Sequence, residues 1–133
     1  MTVGLVIVSH SPKIAEGVVE LAEEMAEEVR VLAAGGTDDG EIGTSATRIA
    51  DAIAAADSGD GVLVLVDLGS AVISTRMAID ELLEDELRGR VRISEGPVVE
   101  GAVIGAVQAS TGSALDEVAK AAARAATLPK VKD

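Results

Sequence analysis

Apolar and polar positions divide the chain into segments that alternate between strand and helix. Apolar runs rich in β-branched residues predict strands at residues 3–8 and 62–66, and two shorter segments that each contain one arginine predict strands at residues 29–33 and, more weakly, 91–93. Runs without polar alternation are typical of parallel strands that helices cover on both faces. Between the runs, apolar residues recur at helical spacing. The pattern predicts an α/β fold: an open, doubly wound parallel sheet of four strands in the order 2-1-3-4, with helices on both faces.

The first helix is defined by its start and by its apolar stripe. Ser11 suits the N-cap and Pro12 suits the first helical position. One face carries the apolar residues Ile14, Val18, Leu21, Ala22, Met25 and Ala26. The opposite face carries glutamates, so we expect the apolar face to be buried and the acidic face to be solvated. Near the end of the chain, the Ser113 to Asp116 stretch has a capping-box pattern that predicts the start of the last helix.

The composition is that of one compact domain. The chain has 133 residues, of which 48% are apolar. This length is enough to bury one hydrophobic core and too short for two domains of typical size. We expect the domain to span residues 1–126 and residues 127–133 to form a tail or the beginning of a linker. The first ten residues lack a basic region and their apolar run is short. They predict neither a signal peptide nor a membrane span, and we expect a cytoplasmic protein.

Charge and missing residue types exclude several functions. The 11 basic and 23 acidic residues give a net charge of −12, which phosphate backbones and anionic lipids repel. We therefore expect binding to neither nucleic acid nor membrane. The chain has no Phe, Tyr, Trp or Cys, so stacking platforms and thiolate chemistry are absent. We expect no cofactor and no metal, although a cation site at Asp38, Asp39 and Glu41 stays open; their spacing lacks the EF-hand alternation.

The candidate chemistry lies just beyond the carboxyl ends of strands 1 and 3. His10 is the only histidine and follows strand 1, and Asp67 follows strand 3. Neighbouring strands are about 5 Å apart, so the two side chains can meet at the switch point of the sheet. A carboxylate on one ring nitrogen leaves the other as a nucleophile. Helix starts at Ser11 and at Gly69 and Ser70 offer N–H groups to an anion, which predicts phosphoryl transfer through phosphohistidine.

Plainer interpretations of the same residues stay open. His10 can be a polar loop residue, Asp67 can be a helix cap, and the glycines between 35 and 43 can serve turn geometry. Other chemistries fit less well, because neither a dinucleotide-binding nor a P-loop motif is present and strand 1 does not end in the paired acids of an aspartyl-phosphate receiver. Ser9 and Ser11 flank His10, but neighbours in sequence do not make a hydrolase dyad.

Several motifs of the chain resemble a known family. They are Val6-Ile7-Val8-Ser9-His10-Ser11, Glu16-Gly17-Val18, Ala34-Gly35-Gly36-Thr37-Asp38-Asp39, Ile42-Gly43-Thr44, Val66-Asp67-Leu68-Gly69-Ser70-Ala71, Pro97-Val98-Val99-Glu100-Gly101-Ala102 and Ala109-Ser110-Thr111-Gly112. Together they resemble the phosphotransferase subunits of phosphoenolpyruvate-dependent dihydroxyacetone kinases, which have a mannose-class enzyme IIA fold. The resemblance runs from residue 3 to about residue 122.

The resemblance implies a role for each site residue. His10 would take a phosphoryl group from the phosphohistidine of the carrier protein HPr, which enzyme I charges from phosphoenolpyruvate. It would pass the group to ADP on the kinase's nucleotide-binding subunit, and the resulting ATP would phosphorylate dihydroxyacetone bound on a third subunit. Asp67 would be the orienting carboxylate, and family members are homodimers. The acidic surface would suit basic groups on a carrier.

Two other functions stay open at this point. One is a mannose-class enzyme IIA of sugar transport, with the same His10 chemistry and a membrane-linked acceptor. The other is a regulatory module in which phospho-His10 is only a signal. The sequence also leaves open whether Thr37 or Thr44 contacts phosphate. Pro97 to Gly101 either line the rim of the site or only pack, and we expect packing.

Overall fold

Four parallel strands form one sheet in the computed structural model, which describes residues 1–131. They are β1 (Gly4–Ser9), β2 (Val31–Gly35), β3 (Val62–Val66) and β4 (Val91–Ile93). The strand order is β2-β1-β3-β4, so the predicted α/β fold and its strand order are confirmed. This order reverses the direction of winding between β1 and β3, which places the crevice for a ligand at their carboxyl ends.

Six α-helices connect and cover the strands within the described residues. They are α1 (Pro12–Met25), α2 (Ala46–Ala56), α3 (Gly69–Met77), α4 (Asp85–Arg88), α5 (Val98–Ser110) and α6 (Leu115–Arg124). Helix α3 continues into a π-helical turn, Ala78–Leu82, and α6 continues into a 3-10 turn, Ala125–Thr127. None of the helices between residues 1 and 131 has the length and apolar content needed to cross a membrane.

The sheet separates two apolar layers. Alternate side chains of β1 and β3 point to opposite faces, and the apolar ones are fully buried except Val66 at the end of β3. Leu5, Ile7, Leu63 and Leu65 pack under α1, α5 and α6. Val6, Val8, Val62 and Val64 pack under α2 and α3. Burying each such side chain contributes about 1.5–3 kcal/mol, which fixes the two central strands and the residues that follow them.

Helix α1 buries a narrower stripe than the apolar pattern predicts. Ala15, Val18 and Ala22 are buried, as small residues that allow close contact with the edge strand β2. Three of the larger apolar side chains assigned to the core face are at least half exposed, namely Ile14, Leu21 and Met25. The prediction that the whole stripe is buried is wrong, because the helix rests on an edge strand that covers only part of its apolar arc.

Several element boundaries also differ from the prediction: β1 runs Gly4–Ser9 rather than over residues 3–8, and β2 begins at Val31 rather than at residue 29. Strand β2 ends at Gly35 rather than at residue 33, because a Gly-rich end is a poor strand signal in sequence. Helix α6 begins at Leu115 with Ala114 at the N-cap, so the capping box at Ser113 is wrong. The Ser113 hydroxyl instead accepts a hydrogen bond from Gln108 Nε2 at 2.7 Å.

The predicted tail is only partly described. The 3-10 turn reaches Thr127, and Leu128 and Val131 are exposed. Residues 132 and 133 of that tail lie outside the described residues. The boundary at residue 126 stays a prediction.

Candidate functional site

The adjacency of β1 and β3 brings His10 and Asp67 together. The two strands pair in parallel with Val8 opposite Val66, and the Asp67 N–H donates to the Val8 carbonyl at 3.1 Å. His10 Nδ1 lies 3.1 Å from Asp67 Oδ1. The backbone N–H of His10 donates to Asp67 Oδ2 at 2.9 Å. Asp67 therefore holds both the ring and the main chain of His10.

The Asp67 carboxylate is surrounded by hydrogen-bond donors. Besides the two His10 groups, the Ser9 hydroxyl donates to Oδ2 at 2.9 Å and the Leu68 N–H donates to Oδ1 at 2.7 Å. Burial alone would raise the pKa of Asp67, but these hydrogen bonds outweigh burial and hold its pKa below the ordinary value. At neutral pH, Asp67 is an ionised group that can only accept hydrogen bonds.

The ionised carboxylate fixes which ring nitrogen of His10 carries the proton. Because Asp67 can only accept, Nδ1 must be the donor, and the neutral ring then has its lone pair on Nε2. Ser70 Oγ lies 2.9 Å from Nε2 and donates to it in this tautomer. The His10 side chain is 24% exposed and the Asp67 side chain 12%, so the ring is accessible while the carboxylate is mostly shielded. An oriented, reachable imidazole is a competent nucleophile.

The start of α1 is closed by its own cap. The Ser11 hydroxyl accepts a hydrogen bond from the Ile14 N–H at 3.3 Å, and α1 begins at Pro12, which confirms the predicted cap. The Ser11 N–H donates to Ser9 Oγ at 3.0 Å. Both Ser11 groups therefore have partners within the protein, and contact between Ser11 and a phosphate stays a prediction.

The start of α3 is open. Leu68 occupies the N-cap position and has no side-chain oxygen, so Asp67 does not cap this helix. Gly69 and Ser70 are its first two residues, and N–H groups at that position have no acceptor within the helix. Because Ser70 contacts His10 Nε2, this helix end is adjacent to the nucleophilic nitrogen. That Gly69 and Ser70 contact a phosphate stays a prediction. Their position at the start of α3, next to His10 Nε2, is suitable for such a contact.

The glycine-rich segment supports His10 through its backbone. The Gly36 N–H donates to the Ser9 carbonyl at 3.1 Å, and the Gly43 N–H donates to the His10 carbonyl at 2.9 Å. Gly36 has a φ of +77°, and a Cβ there would lie 2.6 Å from Pro12 Cγ. Turn geometry and close approach to α1 therefore explain this glycine.

The remaining candidate residues have partners inside the protein. Thr37 Oγ1 accepts from the Glu41 N–H at 3.1 Å, and Thr44 Oγ1 shares a hydrogen bond of 2.6 Å with Ser74 Oγ. Asp38 accepts from the Ser45 hydroxyl at 2.7 Å, next to the start of α2. Within residues 1–131, no three histidine or acidic side chains come together in a way that would hold a metal ion.

Pro97 and Gly101 belong to the first turn of α5. Pro97 is the N-cap residue, and its carbonyl accepts from the Gly101 N–H at 2.7 Å. A Cβ at Gly101 would lie 3.3 Å from Leu65 Cδ1 of β3. The first contact is a hydrogen bond within the first turn of α5, and the second shows that α5 packs closely against the sheet at Gly101.

Sequence reasoning missed Ser9 as part of the site. Its side chain is fully buried at the end of β1, where it bonds to Asp67 and to the Ser11 N–H. The available signal was a hydroxyl residue that directly precedes His10 at the end of a strand otherwise built from apolar residues.

Comparison with known proteins identifies the family. The family model described as "PTS system fructose IIA component" (EIIA-man) matches residues 4–119. The chain therefore belongs to the mannose-class enzyme IIA family of the phosphotransferase system. A crystal structure described as the unknown function protein EF1359 has 36% identity and a TM-score of 0.83, and the match covers 93% of this chain and 95% of that one.

The more specific resemblance stated from the sequence is also confirmed. The phosphoryl donor subunit DhaM of PEP-dependent dihydroxyacetone kinase 2 from Listeria innocua is 43% identical over 107 residues, which cover 80% of this chain and 85% of the relative. The corresponding DhaM subunit from Escherichia coli is 42% identical over 120 residues, which cover 87% of this chain. The chain spans only 25% of the length of that second relative.

Proposed function

We propose that this protein is a phosphoryl donor subunit of a phosphoenolpyruvate-dependent dihydroxyacetone kinase. His10 accepts a phosphoryl group from phospho-HPr and passes it to ADP on the nucleotide-binding subunit, and the ATP formed there phosphorylates dihydroxyacetone on a third subunit. The observation that carries the proposal is the His10 ring itself, which is partly exposed and whose Nδ1 is hydrogen-bonded to an ionised Asp67 while Nε2 lies against the Ser70 hydroxyl at the start of α3. The similarity to DhaM subunits supports the choice of kinase system.

The geometry supports a simple in-line exchange. The Ser70 hydroxyl first turns away from His10 Nε2. The freed lone pair attacks the phosphorus of the donor phosphohistidine, the donor P–N bond breaks, and its electron pair returns to the donor imidazole. His10 Nδ1 keeps its proton throughout, and Asp67 stabilises the positive charge that develops on the ring. The Ser70 hydroxyl and the N–H groups of Gly69 and Ser70 are the donors available to the phosphoryl oxygens, in line with anion binding at helix starts. The hand-off to ADP repeats the exchange in the other direction.

Labelling tests the identity of the phosphorylated residue. Incubation with phosphoenolpyruvate, enzyme I and HPr should add one acid-labile, alkali-stable phosphoryl group to the wild-type protein, as expected for phosphohistidine. His10→Ala removes the only histidine of the chain and should abolish the label. Wild-type-like labelling of His10→Ala would exclude His10 as the acceptor.

Discharge of the labelled protein separates the alternatives. A phosphoryl donor should lose its label and form ATP when the dihydroxyacetone kinase subunits and ADP are added together. An enzyme IIA of sugar transport would discharge instead to a sugar permease component, and a regulatory module would keep its label with either partner. The similarity to DhaM subunits favours the first outcome.

Two further parts of the proposal follow the family. We expect a homodimer, which analytical ultracentrifugation tests directly, with a monomer at all working concentrations as the contrary result. We also expect the protein to act in the cytoplasm beside its carrier and kinase partners. Cell fractionation that placed it elsewhere would contradict this.

A further inference from the structure

Ser9 occupies a position that suggests more than a structural role. Its side chain is fully buried, and its single hydroxyl makes two hydrogen bonds. The Ser9 oxygen accepts a hydrogen bond from the Ser11 N–H at 3.0 Å, and the Ser9 hydroxyl donates its own proton to Asp67 Oδ2, 2.9 Å away. Because Asp67 can only accept, the direction of this second bond is fixed. The hydroxyl therefore connects the turn before α1 with the carboxylate that orients His10.

The two oxygens of Asp67 have different tasks. Oδ2 receives the Ser9 hydroxyl and the His10 N–H, both at 2.9 Å. Oδ1 receives the ring Nδ1 of His10 at 3.1 Å, whereas Oδ2 is 3.4 Å from the same nitrogen. The two donors on Oδ2, together with the Leu68 N–H that donates to Oδ1 at 2.7 Å, fix the rotation of the carboxylate, so that Oδ1 faces the ring. With the Ser9 hydroxyl removed, the His10 N–H would be the only remaining strong donor on Oδ2.

We propose that Ser9 is a positioning residue for phosphoryl transfer. Through its bond to Asp67 Oδ2 it fixes the orientation of the carboxylate, and through the carboxylate it keeps the His10 proton on Nδ1 and the nucleophilic lone pair on Nε2. This inference rests on the proposed function for its consequence on transfer rate. Its consequence on the tautomer of His10 can be measured in the unphosphorylated protein.

The chain supplies a matched control. Ser94 is also largely buried and directly follows strand β4, much as Ser9 ends β1, and its hydroxyl accepts from the Gly96 N–H at 3.0 Å. This bond joins residues i and i+2, as the bond from the Ser11 N–H to Ser9 does. Ser94→Ala therefore removes the same kind of turn bond without a neighbouring carboxylate of the site. A purely structural Ser9 would behave like Ser94.

The test combines ring-nitrogen NMR with transfer kinetics. In protein labelled with ¹⁵N-histidine, the wild type and Ser94→Ala should show the Nδ1–H tautomer, and Ser9→Ala should show a mixture of the two tautomers. Phosphorylation by phospho-HPr should slow about tenfold in Ser9→Ala and stay within twofold of wild type in Ser94→Ala, in keeping with loss of one charge-assisted hydrogen bond. Ser9→Cys keeps the side-chain volume but donates weakly, and it should resemble Ser9→Ala.

Each outcome bears on the proposal. Three results would overturn it. The first is a wild-type tautomer ratio and rate in Ser9→Ala, and the second is wild-type behaviour of Ser9→Cys with a loss in Ser9→Ala. The third is an equal loss in Ser9→Ala and Ser94→Ala. If no variant and no wild-type protein accepted a phosphoryl group while Ser9→Ala still shifted the tautomer, the proposed function would fail and the positioning role would stand. Amide spectra confirm that each variant is folded before it is compared.

Discussion

Asp67 connects the two strands that build the site. Aspartate has one methylene between the backbone and the carboxylate, which lets a residue directly after β3 reach both the main chain and the ring of His10 after β1. The donors around it also hold it ionised, because their effect on its pKa exceeds that of burial. The orientation of the His10 ring is thereby set by contacts within the fold.

Replacing Asp67 tests this arrangement. Asp67→Ala removes the acceptor for His10 Nδ1, and we expect transfer from phospho-HPr to slow by roughly a hundredfold, as for loss of one preorganised electrostatic contact. The Ser9 hydroxyl and the His10 N–H lose their acceptor as well, which should lower the free energy of unfolding by about 1–3 kcal/mol. Rapid-quench labelling measures the rate and denaturant unfolding measures the stability. Asp60→Ala, at an exposed loop position, is the control.

An unchanged transfer rate in Asp67→Ala, with the expected loss of stability, would leave Asp67 a purely structural role.

At the scale of single residues, the sequence is informative where a residue's location follows from topology. His10 and Asp67 were predicted to meet because both directly follow neighbouring strands. The bonds of Ser9 to Asp67 and of Ser70 to Nε2 depend on side-chain rotamers and on the donor count around one carboxylate, which a linear pattern does not contain.

Among the secondary-structure elements, α2, β3 and β4 are joined at the amino end of the sheet by one ion pair. Asp57, the C-cap residue of α2, accepts from Arg90 Nη2 at 2.7 Å and from Arg90 Nε at 3.1 Å. Its Oδ1 also accepts from the N–H groups of Gly59 and Gly61 in the turn before β3. The hydrogen bond from Arg90, together with those from the two glycines, lowers the pKa of Asp57 against the opposing effect of burial.

The lowered pKa gives this ion pair a defined pH dependence. A carboxyl whose pKa is lower in the folded state than its ordinary value of 3.8 stabilises the fold above that value, and the stabilisation is lost as pH falls through the folded pKa. Asp57→Asn should therefore lower the free energy of unfolding by about 2 kcal/mol at pH 7, and the difference from wild type should shrink below about pH 4. Urea unfolding at a series of pH values measures both.

The control for this experiment is Asp60→Asn, in the same turn and exposed, which should follow the wild-type curve. Transfer by folded Asp57→Asn should equal wild type, since the pair lies at the amino ends of the strands and His10 at the carboxyl ends. A stability difference that stays constant down to pH 2 would show that the ionised form of Asp57 is not what stabilises the turn.

The elements themselves were predictable to different degrees. Buried strands of β-branched residues leave a strong signal, and β3 and β4 have the predicted bounds. The end of β2 was missed because glycines at its carboxyl end resemble a turn, and in the structure Gly35 is required there: a Cβ would lie 2.7 Å from Pro12 Cα. The buried arc of α1 depends on which strand it rests on, which is a property of the assembled sheet.

Over the whole molecule the net charge is −12, and exposed acidic side chains lie both near His10 and far from it. Asp39 and Glu41 are exposed and belong to the glycine-rich segment, whose Gly43 N–H holds the His10 carbonyl. The exposed Glu23 and Glu27 lie near the carboxyl end of α1, whereas Pro12 and the site lie at its amino end. The two acidic pairs differ in location and not in charge, which makes them a matched comparison.

If the acidic surface steers a basic carrier to His10, transfer from phospho-HPr should depend on salt. Raising the ionic strength from about 0.05 M to about 0.5 M shortens the screening length and should lower kcat/KM by roughly threefold to tenfold. Neutralising the pair near the site, with Asp39→Asn and Glu41→Gln, should lower the rate at low salt and flatten its salt dependence. Neutralising the distant pair, with Glu23→Gln and Glu27→Gln, should leave the slope near wild type. A rate that is indifferent to salt, or equal slopes for the two double variants, would mean that the carrier is not guided by charge at this end of the sheet.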